Sequence, residues 1–189
     1  MNYTDKELIR AAQIAYLEIN KDVIDDVSES SSSHDYTLLE LYNHSQLFRN
    51  GIYNEISKAA DYTVTESDNR TDVLNRIESD AKRRSVAEKY DIIDDIKTGE
   101  IGKWKVVSYV DNNIIGQAGS AGRIVDGKWT HEEFSNSGDG LAAMVFETSS
   151  GRAITTQRMT CQGDIIVFKF KDIVLHIFID RFLLRSIHS

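Results

Sequence analysis

The chain has 189 residues, 41% hydrophobic and 28% charged, with a formal net charge of −8. That composition is expected of a soluble globular protein. It contains no run of eighteen apolar residues to span a membrane, and its single cysteine, Cys161, excludes an intrachain disulfide and fits a reducing, cytoplasmic setting.

The first helix is signalled by Thr4-Asp5-Lys6-Glu7, a capping box in which Thr4 is the N-cap and Glu7 reaches back. Tyr3 and Leu8 hold the positions of a hydrophobic staple. Leu8, Ala11, Ala12, Ala15, Tyr16 and Ile19 then recur at helical spacing, which predicts a helix over about 4–20. Residues 25–36, DDVSESSSSHDY, are polar and serine-rich and read as a loop. Thr37 and Glu40 repeat the capping-box spacing and open a second helix over about 37–60. Leu38, Leu41, Tyr42, Phe48, Ile52 and Ile56 form its apolar side, and Gly51 is placed to end or kink it. After a loop at 61–71, a third helix is expected over about 72–97. Leu74, Ile77, Ala81, Val86, Tyr90, Ile93 and Ile96 supply its apolar spacing and Gly99 its stop.

The pattern changes near residue 101. KWKVVSYV (103–110) reads as a strand, and Asp111-Asn112-Asn113 as a turn. Residues 114–139 read as a glycine-rich connection. LAAMVFE, a Ser-Ser-Gly turn and AITTQ form a β-hairpin, and residues 163–179 add one or two strands. The expectation is a single α+β domain. Helices in residues 1–100 pack on a mainly antiparallel sheet within residues 101–189, its strands lying at about 103–179.

Charge follows the same division. Residues 1–100 carry 21 acidic and 12 basic side chains; residues 101–189 carry 9 and 10. An acidic front half disfavours direct contact with nucleic-acid phosphates and suits a basic protein partner or a nucleic-acid mimic. It is also what a solvated helical surface carries. The basic run Lys82-Arg83-Arg84 is the candidate interaction surface of opposite sign. An apolar strand such as IVLHIFI at an open sheet edge would favour a homodimer.

The segment A-G-S-A-G at 118–122 places Ser120 one substitution from the G-x-S-x-G elbow of the α/β-hydrolases. An elbow needs a strand before the serine and a helix after it, and the flanking residues supply neither. Ser120, Asp172 and His188 follow the hydrolase chain order and are the alternative catalytic set. His131-Glu132-Glu133 lacks the second histidine of H-E-x-x-H. Neither a Walker A sequence nor G-x-G-x-x-G occurs, so no cofactor or metal is expected.

YTDKELIRAAQIAYLEIN, TLLELYN, KWKVVSYVDNN and GLAAMVFETSSGRAITTQR, taken in order, resemble the N-terminal part of bacterial Mbeg1-like, lipase-like α/β-hydrolases. The resemblance covers about residues 3–160, with an extra glycine-rich segment near 114–139. In that group a strand of the type A-I-x-x-F-R-G-T/S approaches the active site. Here Arg158 matches the arginine, while Gln157 replaces the aromatic residue and Met159 the glycine. The group's serine elbow, acid and histidine come later in its chains, and the residues after Thr160 fit no elbow. The resemblance therefore implies a hydrolase relative without the catalytic half.

Three functions follow as expectations. The first is a non-catalytic protein-binding module of accessory, immunity or inhibitor type. The second is a small serine hydrolase or esterase using Ser120. The third is a phage or mobile-element inhibitor of a nucleic-acid-processing complex.

Overall fold

The computed structural model describes residues 4–14, 17, 19–30, 35–112, 119–126, 128–134, 141–149, 151, 153–159 and 165–169. Helices α1 (Asp5–Ile14), α2 (Lys21–Ser30), α3 (Leu38–His44), α4 (Gln46–Ala60), α5 (Arg70–Asn75) and α6 (Asp80–Thr98) come first. A 3-10 turn (Glu100–Lys103) leads into strands β1 (Lys105–Asn112), β2 (Gly119–Val125), β3 (Lys128–Phe134), β4 (Leu141–Glu147), β5 (Ala153–Met159) and β6 (Ile165–Lys169). The described strands form one sheet in the order β3-β2-β1-β4-β5-β6, every neighbouring pair antiparallel. The fold is α+β, as expected.

Caps account for where the helices begin. The Thr4 amide donates to Glu7 Oε2 at 2.7 Å, and the Glu7 amide donates back to Thr4 Oγ1 at 3.2 Å, closing the capping box. Tyr3 and the side chain of Leu8, the expected staple, lie outside the described residues. The second box closes in part, with the Glu40 amide donating to Thr37 Oγ1 at 3.2 Å.

Beyond the first helix, which ends at Ile14 rather than near 20, and the expected turn at Asp111-Asn112, which is the end of β1, four expectations are corrected. Residues 25–30 are not loop but the second half of α2, whose buried stripe is Val23, Ile24 and Val27. The polar side of this short amphipathic helix dominates its composition and hides the stripe. The helix over 37–60 is two helices. Ser45 ends α3 and caps α4, accepting from the Phe48 amide at 3.1 Å, and Arg49 Nη1 donates to Tyr42 O at 2.6 Å. Gly51 does not end α4, which runs on to Ala60. The helix over 72–97 is likewise α5 and α6, interrupted at 76–79 before the Ser79 cap.

The fourth correction concerns the sheet. The glycine-rich connection contains two full strands, β2 and β3, paired without a break from Gly119↔Phe134 to Val125↔Lys128. Asp126, at φ 51°, begins an Asp-Gly connection between them, the sequence favoured in two-residue hairpins. Gly122 belongs there for packing reasons. A Cβ at that position would collide with Cε1 of Tyr109 and lie 2.8 Å from its Cζ, so the absent side chain makes room for the ring.

The core lies between the helices and one face of the sheet. Trp104, Tyr109 and Phe146 meet Ile14, Ile24, Leu38, Leu41, Ile52, Ile56 and Ile96, each under 2% exposed. α1 packs on β5 and β6, and α2 on β2. On the opposite face Arg123, Thr130 and Glu132 are exposed.

Candidate functional site

Register fixes the centre of the site. Tyr109 of β1 pairs with Gly122 of β2, which pairs with His131 of β3. The next row is Asp111, Ser120 and Glu133. Directly opposed residues share a face, so all six positions are on the side toward α2. Because Gly122 carries no side chain, Tyr109 reaches across it and its Oη lies 2.8 Å from His131 Nδ1. Ser120, opposite Asp111, lies diagonally from Tyr109 on the same face. His131 Nε2 faces Asp25 Oδ1 of α2 at 3.6 Å.

When the Tyr109 phenol is the donor, Nδ1 of His131 accepts and Nε2 is the ring nitrogen facing Asp25. Polar groups then run from Tyr109 to His131 to Asp25, with Ser120 in the next row of the same face. Trp129 stacks on His131 with centroids 5.9 Å apart and meets Tyr109 at 5.8 Å and Tyr36 at 5.6 Å. Tyr36 in turn shares a 2.9 Å hydrogen bond with Ser28 of α2. Trp129 Nε1 is buried with no hydrogen-bond partner among the described residues, a cost its ring packing must outweigh.

Burial pushes the Tyr109 phenol up from its ordinary range. The neighbouring Ser120 hydroxyl opposes that rise, and the charges of Asp25, Asp111 and Asp22 reinforce it. Lys21 is raised by its hydrogen bond to Asp25, with Glu133 and Asp22 adding to the effect. Four carboxylates from α2, β1 and β3 thus act on one small region, with Lys21 as the cation among them.

The hydrolase arrangement is not reproduced around Ser120. β2 is paired on both sides, to β1 and to β3, and it leads into a hairpin. The backbone near Ser120 belongs to these ladders rather than to the N-terminus of a helix, which is where an elbow would place its oxyanion donors. Asp172 and His188, the expected partners of Ser120, lie outside the described residues, as do Cys161 and the IVLHIFI segment.

Lys82 and Arg83 of the basic run are held in ion pairs. Lys82 pairs with Asp61 at 3.0 Å. Arg83 pairs with Asp80 at 2.8 Å and donates to the carbonyls of Leu74 at 3.2 Å and Ile77 at 2.6 Å, closing the break between α5 and α6. Arg84 is exposed. A separate cleft of about 250 Å³ lies between α4 and residues 63–66, lined by Asn50, Tyr53, Asn54, Ser57, Thr65 and Glu66. Its Ser57 hydroxyl is spent on Tyr53 O, Val64 O and the Val64 amide.

Among the described residues no three His, Cys, Asp or Glu side chains are grouped to hold a metal ion, and no helix is long and apolar enough to cross a membrane. The residues alone set His131 only against a zinc motif and Asp25 only against a calcium loop, and did not single out Tyr109. Two signals were present: the alternation of KWTHEEF, which puts Trp129, His131 and Glu133 on one face, and the Asp126-Gly127 hairpin pair. No protein-family model, curated protein or solved structure matches this chain significantly.

Proposed function

We propose that the chain is a non-catalytic protein-binding module, accessory, immunity or inhibitor-like, that docks a basic segment of a partner protein. One arrangement carries this reading. Asp22 and Asp25 of α2, Asp111 of β1 and Glu133 of β3 converge beside Tyr109 and His131, against the positive charge of Lys21. Asp22 and Glu133 are exposed. Such a field attracts Lys- or Arg-rich segments and speeds their encounter. Descent from a lipase-like hydrolase belongs to the same proposal, with function moved from a nucleophile to a surface. A phage or mobile-element inhibitor is one form of it.

A second reading has its own observation. Ser120 lies on the same face as Tyr109, one row along, and the polar chain from Tyr109 through His131 to Asp25 offers a path for a proton leaving its hydroxyl. Two experiments separate the readings. Peptide-display selection on the purified protein should enrich cationic peptides whose binding weakens with salt; selection of apolar or acidic peptides argues against the first reading. A fluorophosphonate probe should leave the protein unlabelled. Labelling that disappears in Ser120→Ala would establish the second reading instead.

A further inference from the structure

β3 is an edge strand: among the described residues it is paired to β2 alone, over seven residues with no bulge. An edge of this length presents unpaired backbone donors and acceptors to another strand. The charges along it are ordered. Lys128 stands at one end and Glu132 near the other, both exposed on the face away from the helices, with exposed Thr130 between them. Neither Lys128 nor Glu132 makes an ion pair among the described residues.

We infer that β3 pairs antiparallel with β3 of a second copy of this chain, about a two-fold axis through Thr130. A two-fold axis perpendicular to a continuous sheet keeps faces matched, so opposed residues must differ by an even number. Centring on Thr130 sets Lys128 opposite Glu132 twice, once on each side of the axis. It also places Trp129 beside His131 of the partner subunit, the same pair of rings that already stacks within one chain. Moving the axis to His131 opposes Lys128 to Phe134 and loses both charge pairs. Moving it to Glu132 opposes two like charges. Opposite charges directly across a strand pair favour it and like charges disfavour it, so the order of charges selects one register. Val125, 40% exposed and paired with Lys128, adds apolar area on the same face.

This inference is independent of the basic-partner reading, because Lys128 and Glu132 lie on the opposite face from Asp111 and Glu133. The experiment is sedimentation equilibrium over a concentration series on the wild-type chain, Lys128→Glu, Glu132→Lys and the double exchange K128E/E132K. Wild type should pass from monomer to dimer mass. Each single variant should dimerise at least about tenfold more weakly, since it turns two attractions into two repulsions. The double exchange restores both pairs and should return dimerisation to the wild-type range. Far-UV circular dichroism checks that all four are folded. A wild type that stays monomeric, a dimer indifferent to the single changes, or a double variant as weak as the singles would each overturn the inference.

Discussion

The phenol of Tyr109 lies 2.8 Å from Nδ1 of His131, and the two side chains meet over Gly122. β1 and β3 are not neighbours; β2 separates them, and a side chain contact bridges it where β2 has none to offer. The bridge continues to α2 through Asp25. It therefore ties the hairpin β2–β3 to the helical layer.

Gly122→Ala should destabilise the protein by about 2–4 kcal/mol, since the new methyl group must displace a fully buried aromatic ring. Tyr109→Phe should cost less, about 1–2 kcal/mol, because it keeps the ring and removes the hydroxyl bonded to His131. Urea denaturation of both variants gives the order. A Gly122→Ala protein as stable as wild type would contradict the packing described.

Arg10 Nε lies 2.6 Å from Asp95 Oδ2, and Lys6 reaches Oδ1 of the same carboxylate at 3.1 Å, so α1 is fastened to α6. Burial alone would raise Asp95, but the hydrogen bonds from Arg10 and Lys6 outweigh it and hold the carboxyl below its ordinary range. A depressed folded-state value contributes stability that is present above the unfolded value and lost as pH falls through the folded one. Asp95→Asn should therefore be less stable than wild type by about 1–2 kcal/mol at neutral pH, with the gap closing below about pH 4. Urea midpoints measured at several pH values test this; a gap that widens in acid would have the wrong sign.

Lys82 and Arg83 are adjacent but should behave differently. Arg83→Met removes the side-chain donor from the Ile77 carbonyl and one of the donors to the Leu74 carbonyl, which keeps the Ile77 amide, and should cost about 1–3 kcal/mol. Lys82→Met breaks an exposed pair with Asp61 and should change stability by less than about 1 kcal/mol. Thermal melts of the two variants decide whether this run is a structural clasp or a free basic surface.

How much of this was legible in the residues depends on the element. Thr4, Thr37 and Gly99 marked helix boundaries because capping chemistry is local. Phe48, Ile52, Ile56 and Val86, Tyr90, Ile93, Ile96 declared their faces by spacing, and all are buried. Ser45 and Ser79 were missed as breaks because an apolar stripe can continue in register across two helices. β2 was missed because Gly119 and Gly122 carry no strand propensity; the reason for Gly122 is the Tyr109 ring, a contact thirteen positions away in sequence. The candidate site was illegible for the same cause. Asp25, Tyr109, Ser120 and His131 converge only once α2, β1, β2 and β3 are assembled.

The central claim is that the carboxylates around Tyr109 receive a basic partner segment. Fluorescence polarisation with a cationic peptide obtained by display selection measures it most directly, comparing Asp22→Lys/Asp25→Lys/Glu133→Lys with a control that reverses exposed charges elsewhere, Glu66→Lys/Asp72→Lys/Glu78→Lys. Both variants change net charge equally. The account predicts a Kd at least about tenfold weaker for the first and within about twofold of wild type for the second. Equal losses in the two variants, or no loss in the first, would contradict it.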